Sequence, residues 1–200
     1  MGIPREPFDK LRANSPRELI GLRRDYTRAP VTKAYLMGLI HDATERKLTL
    51  RIAQKNEVFL RFLKVEILYL GMRSWIYKEG KSRQVWILEF SKKHLKNYQL
   101  NSLQDKIDYL RGYFDAEGGI AKDPKVRFYL YYCQKNFDEM VQNKAWLEDL
   151  GISCGVIHNP NGEKDPDFWR FYVATKSHVR FAQIIGSSHP DKWPFLRMKI

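Results

Sequence analysis

Acidic residues follow a glycine at similar spacing in two separate segments of the chain. Asp42 comes four residues after Gly38, and Asp115 and Glu117 come three and five residues after Gly112. Both segments have the pattern of short helices, so these carboxylates lie at helix C-terminal ends, where the helix dipole disfavours negative charge. A bound cation relieves that conflict, and Mg²⁺ prefers oxygen ligands and suits phosphodiester hydrolysis. The spacing therefore predicts a divalent-metal site at the ends of two helices.

The two glycines explain how these helix ends would meet. Small residues at a helix–helix contact let two backbones approach closely, and Gly38 and Gly112 can do this across a pseudo-two-fold axis. A glycine within a helix costs about 1 kcal/mol relative to alanine, and one alone could be incidental. Its recurrence at the matching place in both segments favours a packing role. We therefore expect the two helices to lie side by side, with their carboxylates close together at one end.

The similarity between the two segments continues along the chain as an internal repeat. The recurring signatures are Gln-Lys-Asn at 54–56 and 134–136, Leu-Gly at 70–71 and 150–151, and an aromatic segment at 86–90 and 169–173. The offset between the copies grows from 74 at the glycines to 80 at Gln-Lys-Asn and 83 at the tryptophans, as insertions in loops would produce. Two like units in one chain predict a pseudo-two-fold molecule, whose symmetry matches that of a DNA duplex.

Each copy has the pattern helix, strand, strand, helix, strand, strand, helix. Apolar residues recur at helical spacing in 58–68, and aromatic and β-branched residues predict a strand in 125–133. Ser91 and Thr175 are the predicted N-caps of the two closing helices. The predicted fold is α+β, with two αββαββα repeats whose antiparallel β-saddles pack around two central helices. The predicted divisions are a basic extension (1–33), a first repeat (34–97), a linker (98–107), a second repeat (108–186) and a tail (187–200).

The glycine-containing helices, together with the repeat from residue 35 to about residue 186, resemble the LAGLIDADG homing endonucleases. The second copy, Leu110 to Gly118, is the closer match to the motif. The resemblance implies a single-chain endonuclease that cleaves double-stranded DNA at a specific site with Mg²⁺ or another divalent metal such as Mn²⁺. It also implies that the eighth motif position and the backbone carbonyl before it are metal ligands. In the second copy these are Glu117 and Ala116, and Asp115 then belongs to the packing of the helix end.

The first copy departs from the family pattern, because its eighth position is Ala43 and its ninth is Thr44. The nearby carboxylates are Asp42 and Glu45. A shift of one residue turns a side chain by about 100° around a helix, but a helix that ends at this point relaxes the constraint. Asp42 is therefore the first candidate ligand and Glu45 the second. The third interpretation is a half-site without a ligand, in a protein that nicks one strand or cuts neither.

Polar residues elsewhere in the repeat are expected to complete the catalytic centre. Gln54 and Gln134 end the first long strand of each copy, where the family often places a polar residue against solvent or the scissile phosphate. Lys92 and Lys176 begin the closing helices and could supply positive charge to the cleaved phosphates, or could simply be solvated. His41 could bind a phosphate or assist proton transfer, or it could interact with the carbonyl end of its helix.

The concave faces of the β-saddles are expected to contact DNA, because alternate residues of a strand point to one face. Arg and Lys side chains can meet guanine edges or phosphates. The other half of the strand residues must form core, and Trp86 and Trp169 are expected there. The predicted DNA-binding residues are Lys47, Arg51, Lys55, Tyr77, Arg83, Lys125, Arg127, Tyr129, Lys135 and Arg170.

Charge and cysteine usage agree with a nucleic-acid partner in a reducing compartment. The chain has 35 Lys plus Arg against 23 Asp plus Glu, and this net charge of +12 favours a polyanion through counterion release. Cys133 and Cys154 have no zinc-ligand spacing, so we expect reduced cysteines. No secretion signal or long apolar run is visible. We expect a monomer in the cytoplasm of a prokaryotic cell, associated with the nucleoid when bound to DNA.

Two other functions remain open on sequence alone. A non-cleaving or nicking binder of the same fold would be an RNA maturase acting on intron RNA or a DNA-binding regulator, and Ala43 is its best support. A basic structural protein, such as a ribosomal component, would leave the paired motif and the repeated Gln-Lys-Asn unexplained. For the endonuclease we expect an intron-encoded or free-standing protein, because no splicing residues are visible at the chain ends.

Overall fold

The computed structural model of the protein describes residues 29–80 and 83–198. Most of the predicted basic extension therefore lies outside the described residues. The first repeat contains α1 (Lys33–Leu39), β1 (Ala43–Glu45), β2 (Thr49–Gln54), α2 (Glu57–Tyr69), β3 (Ser74–Lys78) and β4 (Trp86–Ser91). The second contains α3 (Leu103–Glu117), β5 (Gly118–Ile120), β6 (Leu130–Gln134), α4 (Phe137–Asp149), β7 (Trp169–Tyr172) and α5 (His178–Ile184), and α6 (Trp193–Arg197) follows in the tail.

Each repeat builds one antiparallel sheet. The strand order is β1-β2-β4-β3 in the first repeat and β5-β6-β7 in the second. The strand expected to correspond to β3 in the second repeat is reduced to two isolated bridges, Cys154 with Val173 and His158 with Arg170. The predicted α+β fold with antiparallel sheets is confirmed, and the two sheets differ in their outer strand.

Two hydrophobic cores form, one in each repeat. Alternate residues of β2 and β6 point into them, such as Leu50 and Ile52 in the first and Leu130 in the second. Trp86 packs against the first core and Trp169 against the second, as expected. Because each sheet covers its core with one face, its opposite face is left for solvent or a partner.

The central helices α1 and α3 pack on each other through the two glycines. A Cβ on Gly38 would stand 2.0 Å from the carbonyl oxygen of Tyr109, and a Cβ on Gly112 would stand 2.0 Å from that of Tyr35. No side chain other than hydrogen fits either position. The two contacts are reciprocal, as a pseudo-two-fold axis between the helices requires, so the predicted packing role of both glycines is confirmed.

A buried polar network ties α3 to the start of α1. The Thr32 hydroxyl caps α1 by accepting from the Tyr35 N–H at 3.1 Å, and it donates to Asp108 at 2.8 Å. Arg111 pairs with Asp108 at 3.0 Å and donates to the Pro30 carbonyl at 2.9 Å. Removing one partner of a buried ion pair is costly, so this network fixes how far α1 can slide along α3.

The connection between the repeats differs from the prediction at both ends. The first closing helix is a single 3₁₀ turn, Lys92–His94, although Ser91 does accept from the Lys93 N–H at 3.4 Å. The helix α3 begins at Leu103, inside the predicted linker, because Ser102 and Asp105 form a reciprocal capping box. The chain therefore has only a short distance in which to cross from the first sheet to the central helix.

Two boundaries of the second repeat also differ. The strand β6 begins at Leu130 rather than at 125, because Asp123 draws the chain into a turn by accepting from the Lys125 N–H at 2.8 Å. Thr175 is the first residue of a 3₁₀ turn and not an N-cap. Within the described ranges, no helix has the length and apolar character needed to cross a bilayer.

Candidate metal centre and nucleic-acid interface

Asp42 and Glu117 occupy the same place at the ends of the two motif helices. Asp42 is the last residue of the 3₁₀ turn Ile40–Asp42 that continues α1, and Glu117 is the last residue of α3. Each is followed by an extended residue that starts a strand, Ala43 with φ −96° and ψ 142°, and Gly118 with φ −90° and ψ 153°. The structural counterpart of Glu117 is therefore Asp42 and not the eighth-position Ala43.

The 3₁₀ turn explains how a path shorter by one residue reaches the same level. Asp42 is four residues beyond Gly38, whereas Glu117 is five residues beyond Gly112. A 3₁₀ turn rises about 2.0 Å per residue and an α-helix about 1.5 Å, so both paths climb about 7.5 Å. The 3₁₀ turn also rotates about 120° per residue rather than about 100°, which recovers much of the angular offset.

Each carboxylate is held by a glutamine from the end of a neighbouring strand. Gln54 Nε2 donates to Asp42 Oδ2 at 3.2 Å, and Gln134 Nε2 donates to Glu117 Oε1 at 3.0 Å. Gln54 ends β2 and Gln134 ends β6. The two pairs are equivalent across the pseudo-two-fold axis. The structure thus brings together four of the six predicted catalytic residues, and their catalytic roles stay predictions.

The electrostatics of the two carboxylates favour a shared cation. Partial desolvation raises the pKa of Asp42, although its side chain remains partly exposed. Partial desolvation also raises the pKa of Glu117, and repulsion by the Asp42 carboxylate raises it further. A divalent cation between the two groups would relieve this repulsion, so the residues present fit a metal ion.

An ion at this place would need further oxygen ligands. Among the described residues, no group of three or more His, Cys, Asp or Glu side chains is arranged to hold a metal. The carbonyl of Ala116, which precedes Glu117, is the ligand that the family resemblance suggests. Water or phosphate oxygens of a substrate would supply the others. The centre is therefore suited to an ion that is shared with its substrate.

The residues at the sixth motif position stabilise the helix interface. Asp115 is buried and accepts from the Tyr35 hydroxyl at 2.7 Å. His41, at the same position of the first motif, lies 2.8 Å from the Tyr109 hydroxyl and 3.3 Å from Glu139. Each tyrosine hydroxyl thus contacts the opposite helix. Burial lowers the pKa of His41 more than Glu139 raises it, so the ring is neutral near pH 7 and acts in packing.

Lys92 lies away from the carboxylates, which corrects the prediction that it supplies charge there. Ser91, which precedes it, pairs with Thr49 at the start of β2, whereas Gln54 lies at the other end of that strand. Five residues of strand separate those ends by about 17 Å. The Lys92 ammonium contacts Glu45 instead, so Glu45 is also held at the far end of the sheet and is not a ligand of the centre.

Lys176 is displaced in the same way, which corrects the matching prediction in the second repeat. The strand β7 pairs Trp169 with Gln134 and then runs away from it. Lys176 lies beyond the far end of β7, in the 3₁₀ turn whose Thr175 hydroxyl accepts from Arg127 at 3.0 Å.

The buried lysine at the centre is Lys192, which sequence reasoning missed. Its Nζ lies 2.7 Å from the carbonyl oxygen of Gly118, next to Glu117. Its charge lowers the pKa of both Asp42 and Glu117, against the larger effect of desolvation. No motif marks it in the sequence, because it lies in the tail outside both repeats.

The open face of the first sheet carries a network of opposite charges. The Arg51 Nε donates to the Tyr77 hydroxyl at 2.9 Å, and its guanidinium lies 3.6 Å from Glu79 and 3.9 Å from Glu89. The Tyr77 hydroxyl donates to Glu89 at 2.8 Å. A shallow cleft beside this network is lined by Lys47 among others. Arg51 and Tyr77 lie on the predicted face, and two carboxylates compete with any phosphate for them.

The open face of the second sheet is aromatic. The ring centroids of Tyr129, Tyr131 and Tyr172 lie about 6 Å from one another. The Arg170 guanidinium lies 4.5 Å from the Tyr131 ring. That ring lies over Gly119, where a Cβ would be 2.1 Å from it. Sequence reasoning missed Tyr172, although the buried Phe171 before it sets the strand phase.

The other predicted DNA-binding residues are exposed and lie outside the strands. Lys55 and Lys135 follow the two glutamines of the metal centre, and Lys135 pairs with Asp165 at 3.1 Å. The remaining ones are Arg83, Lys125 and Arg127. Cys133 and Cys154 are free thiols, as expected.

Residues 105–186 match the family model described as a LAGLIDADG-like domain. The second repeat therefore contains a LAGLIDADG-like domain. I-DmoI in complex with DNA and Mn is a similar solved structure, with a TM-score of 0.58 and 23% identity over 78% of this chain and 97% of that one. No curated protein sequence matches this chain significantly.

Two structures of DUF199/WhiA match over a larger part of the chain. The full-length protein from Thermatoga maritima has a TM-score of 0.66 and 17% identity over 90% of this chain and 63% of that one. The N-terminal LAGLIDADG domain of DUF199/WhiA has a TM-score of 0.64 and 14% identity over 90% of this chain and 94% of that one. These likenesses show that the LAGLIDADG fold extends over both repeats.

Proposed function

We propose that this LAGLIDADG protein is a site-specific endonuclease that cleaves double-stranded DNA with divalent metal ions. The observation that carries the proposal is the pairing of Asp42 and Glu117 at the ends of two helices that meet through reciprocal glycine contacts. The equivalent glutamine contacts support it, because both half-sites then have the same donors. Solved structures of the similar I-DmoI contain DNA with Mn or with Ca.

The residues of the chain would divide the work as follows. Asp42, Glu117 and the Ala116 carbonyl would hold Mg²⁺ or Mn²⁺, which when bound activates water and neutralises charge on the phosphate. Gln54 and Gln134 orient the carboxylate oxygens by donating to one oxygen of each. The carboxylates must be ionised to hold the ion, and the pKa of each is raised. As the pH is lowered, metal binding should therefore be lost at a higher pH than it would be at ordinary carboxylates.

The two carboxylates are carried by elements of unequal length and burial. Glu117 ends a helix of 15 residues and is half-buried, whereas Asp42 ends a short 3₁₀ turn and is exposed. A ligand on a less constrained element spends less time in the productive geometry. We therefore expect the strand served by Glu117 to be cut first, with a nicked duplex as an intermediate.

The DNA would lie across the open faces of both sheets. The net charge of +12 favours the duplex. One chain contains both half-sites, so the protein would act as a monomer. We place it in the cytoplasm of a prokaryotic cell, and on the nucleoid when it is bound to DNA. An intron-encoded or free-standing gene is the context we propose for it.

A non-cleaving or nicking nucleic-acid binder is the second candidate, as an RNA maturase or a DNA-binding regulator. Two observations favour it. Ala43 stands at the position where the family resemblance expects the acidic ligand. The fold also matches DUF199/WhiA over 90% of the chain, compared with 78% for I-DmoI.

Selection from a randomised duplex library separates the two candidates. The wild type is incubated with the library in Mg²⁺, and cleaved molecules are sequenced, while Ca²⁺ is used in parallel to select bound molecules. The proposed endonuclease enriches the same site in both arms. Asp42→Asn and Glu117→Gln should abolish double-strand cleavage and keep binding, whereas the control Glu45→Gln, whose carboxylate contacts Lys92, should cut normally. A bound site that is never cut would establish the second candidate instead.

A further inference from the structure

Lys192 is a buried lysine whose ammonium lies at the end of α3. Its Nζ donates to the carbonyl oxygens of Phe114 at 2.6 Å, Asp115 at 2.9 Å and Gly118 at 2.7 Å. A protonated lysine has three N–H donors, so all of them are used. These carbonyls lie on both sides of Glu117 in the chain, and one side chain therefore fixes the backbone that presents this carboxylate.

The end of α3 requires such a donor. The last carbonyls of an α-helix have no partner within the helix, and a left-handed glycine often supplies the donors that cap them. Gly118 is extended and begins β5 directly, so its N–H reaches only the Phe114 carbonyl. Lys192 takes the place of that cap. Its positive charge also stabilises the negative C-terminal end of the helix dipole, where the negative charge of Glu117 is unfavourable.

The tail places Lys192 between the two repeats. The Ser188 N–H donates to Asp115 of the second repeat at 2.8 Å. The ring of His189 packs on that of Phe59 in the first repeat, with 4.2 Å between centroids. The position of Lys192 is therefore set by both halves of the molecule, as the carboxylate pair is.

We propose that Lys192 is a positioning residue of the metal centre, which fixes the Glu117 backbone and places a positive charge beside Asp42 and Glu117. The proposal rests on the proposed metal site. Two carboxylates at adjoining helix ends repel each other before an ion arrives. An ammonium held by carbonyls reduces that repulsion, and it cannot become a metal ligand because its nitrogen has no lone pair. The divalent ion then meets an arrangement that is already formed.

The first test measures metal binding in the full chain, independently of cleavage. Lys192→Met keeps the length of the side chain and removes its charge, and Mn²⁺ binding is followed by electron paramagnetic resonance. We expect at least tenfold weaker Mn²⁺ binding and faster hydrogen exchange of the amides at 117–119. Lys192→Arg should recover part of the affinity. The control Lys122→Met removes an exposed lysine near the same end and should bind as the wild type does.

A second measurement separates the electrostatic role of Lys192 from a purely structural one. It can be made even if Lys192→Met is too unstable for metal binding to be measured. Without metal, adding Asp42→Asn to Lys192→Met should recover several degrees of the melting temperature, because one of the two repelling charges is gone. Mn²⁺ affinity of Lys192→Met within twofold of the wild type, or no recovery in the double variant, would overturn the proposal. A wild type that binds no Mn²⁺ would refute the metal site itself, while recovery in the double variant would still show that Lys192 and Asp42 interact.

Discussion

An alanine at Gly38 should push the two motif helices apart. The new Cβ would stand 2.0 Å from the carbonyl oxygen of Tyr109 and 2.6 Å from the nitrogen of Tyr113, and ordinary contact begins at 3.4 Å. The backbones must therefore move by about 1.4 Å, the difference between 3.4 and 2.0 Å. Both clashes are with backbone atoms, which cannot rotate out of the way as a flexible side chain can.

The expected loss of stability follows from two opposing effects. Overpacking costs typically about 1–3 kcal/mol, and alanine returns about 1 kcal/mol of helix propensity. A clash with rigid backbone belongs in the upper half of the first range, so we expect a net loss of about 1–2 kcal/mol. For a domain of this size that is a fall of roughly 2–8 °C in melting temperature. A displacement of about 1 Å at the carboxylates would also reduce cleavage by about 100-fold.

Thermal and urea unfolding of Gly38→Ala, Gly112→Ala and the double variant measure the effect. The two glycines lie at one crossing and make reciprocal contacts, so each single variant should lose a similar amount. The double variant should lose less than the sum, because helices already separated by one Cβ have room for the other. The matched control is Gly155→Ala, whose Cβ would have its nearest contact at 3.6 Å, and it should change stability by less than about 0.5 kcal/mol.

Two outcomes would refute this reasoning. If Gly38→Ala unfolds at the same temperature as Gly155→Ala, the helices do not meet at this glycine. If the losses of the two single variants simply add in the double variant, the two positions do not share one interface. Either result would mean that the glycine contact does not bring Asp42 and Glu117 together.

Three further predictions concern charge. Asp42→Asn should raise the melting temperature of the metal-free protein near pH 7 and have little effect near pH 3, because a raised carboxyl pKa means that the ionised form opposes folding above that pKa. Burial lowers the pKa of His189 from 6.5 to about 4. The free energy of unfolding should therefore be highest above pH 6.5 and fall by up to about 3 kcal/mol as the pH decreases to 4. A pH series of urea titrations on wild type and His189→Gln measures this loss. Glu89→Gln should strengthen duplex binding and steepen its salt dependence, because a carboxylate near Arg51 is removed, and fluorescence anisotropy at several salt concentrations measures the change.

Each of these predictions has a control and a contrary result. Glu45→Gln controls for the loss of one negative charge, and an equal rise in melting temperature would show that Asp42 is not specially repelled. The control His94→Gln changes a histidine outside the tail. If it reduces the acid sensitivity as much as His189→Gln does, the role assigned to His189 is wrong. If Glu89→Gln leaves both affinity and salt dependence unchanged, Arg51 does not reach the DNA.

Local patterns in the sequence were sufficient for the framework of the molecule. The two motif helices, the paired glycines and the ends of the strands at Gln54 and Gln134 follow from periodicity and from the repeat, because neighbours along one element determine them. Glu117 as the second-half carboxylate also follows from the position of its motif. These features are repeated twice in one chain, so each copy supports the interpretation of the other.

Tertiary structure alone decided the remaining features of the site. Whether Asp42 reaches the level of Glu117 depends on a 3₁₀ turn, and strand register separates Lys92 from the carboxylates by the length of a strand. Lys192 reaches the centre only because the tail crosses both repeats. The physical reason is common to all three, since each is set by contacts between residues far apart in the chain, and a local pattern contains no information about such contacts.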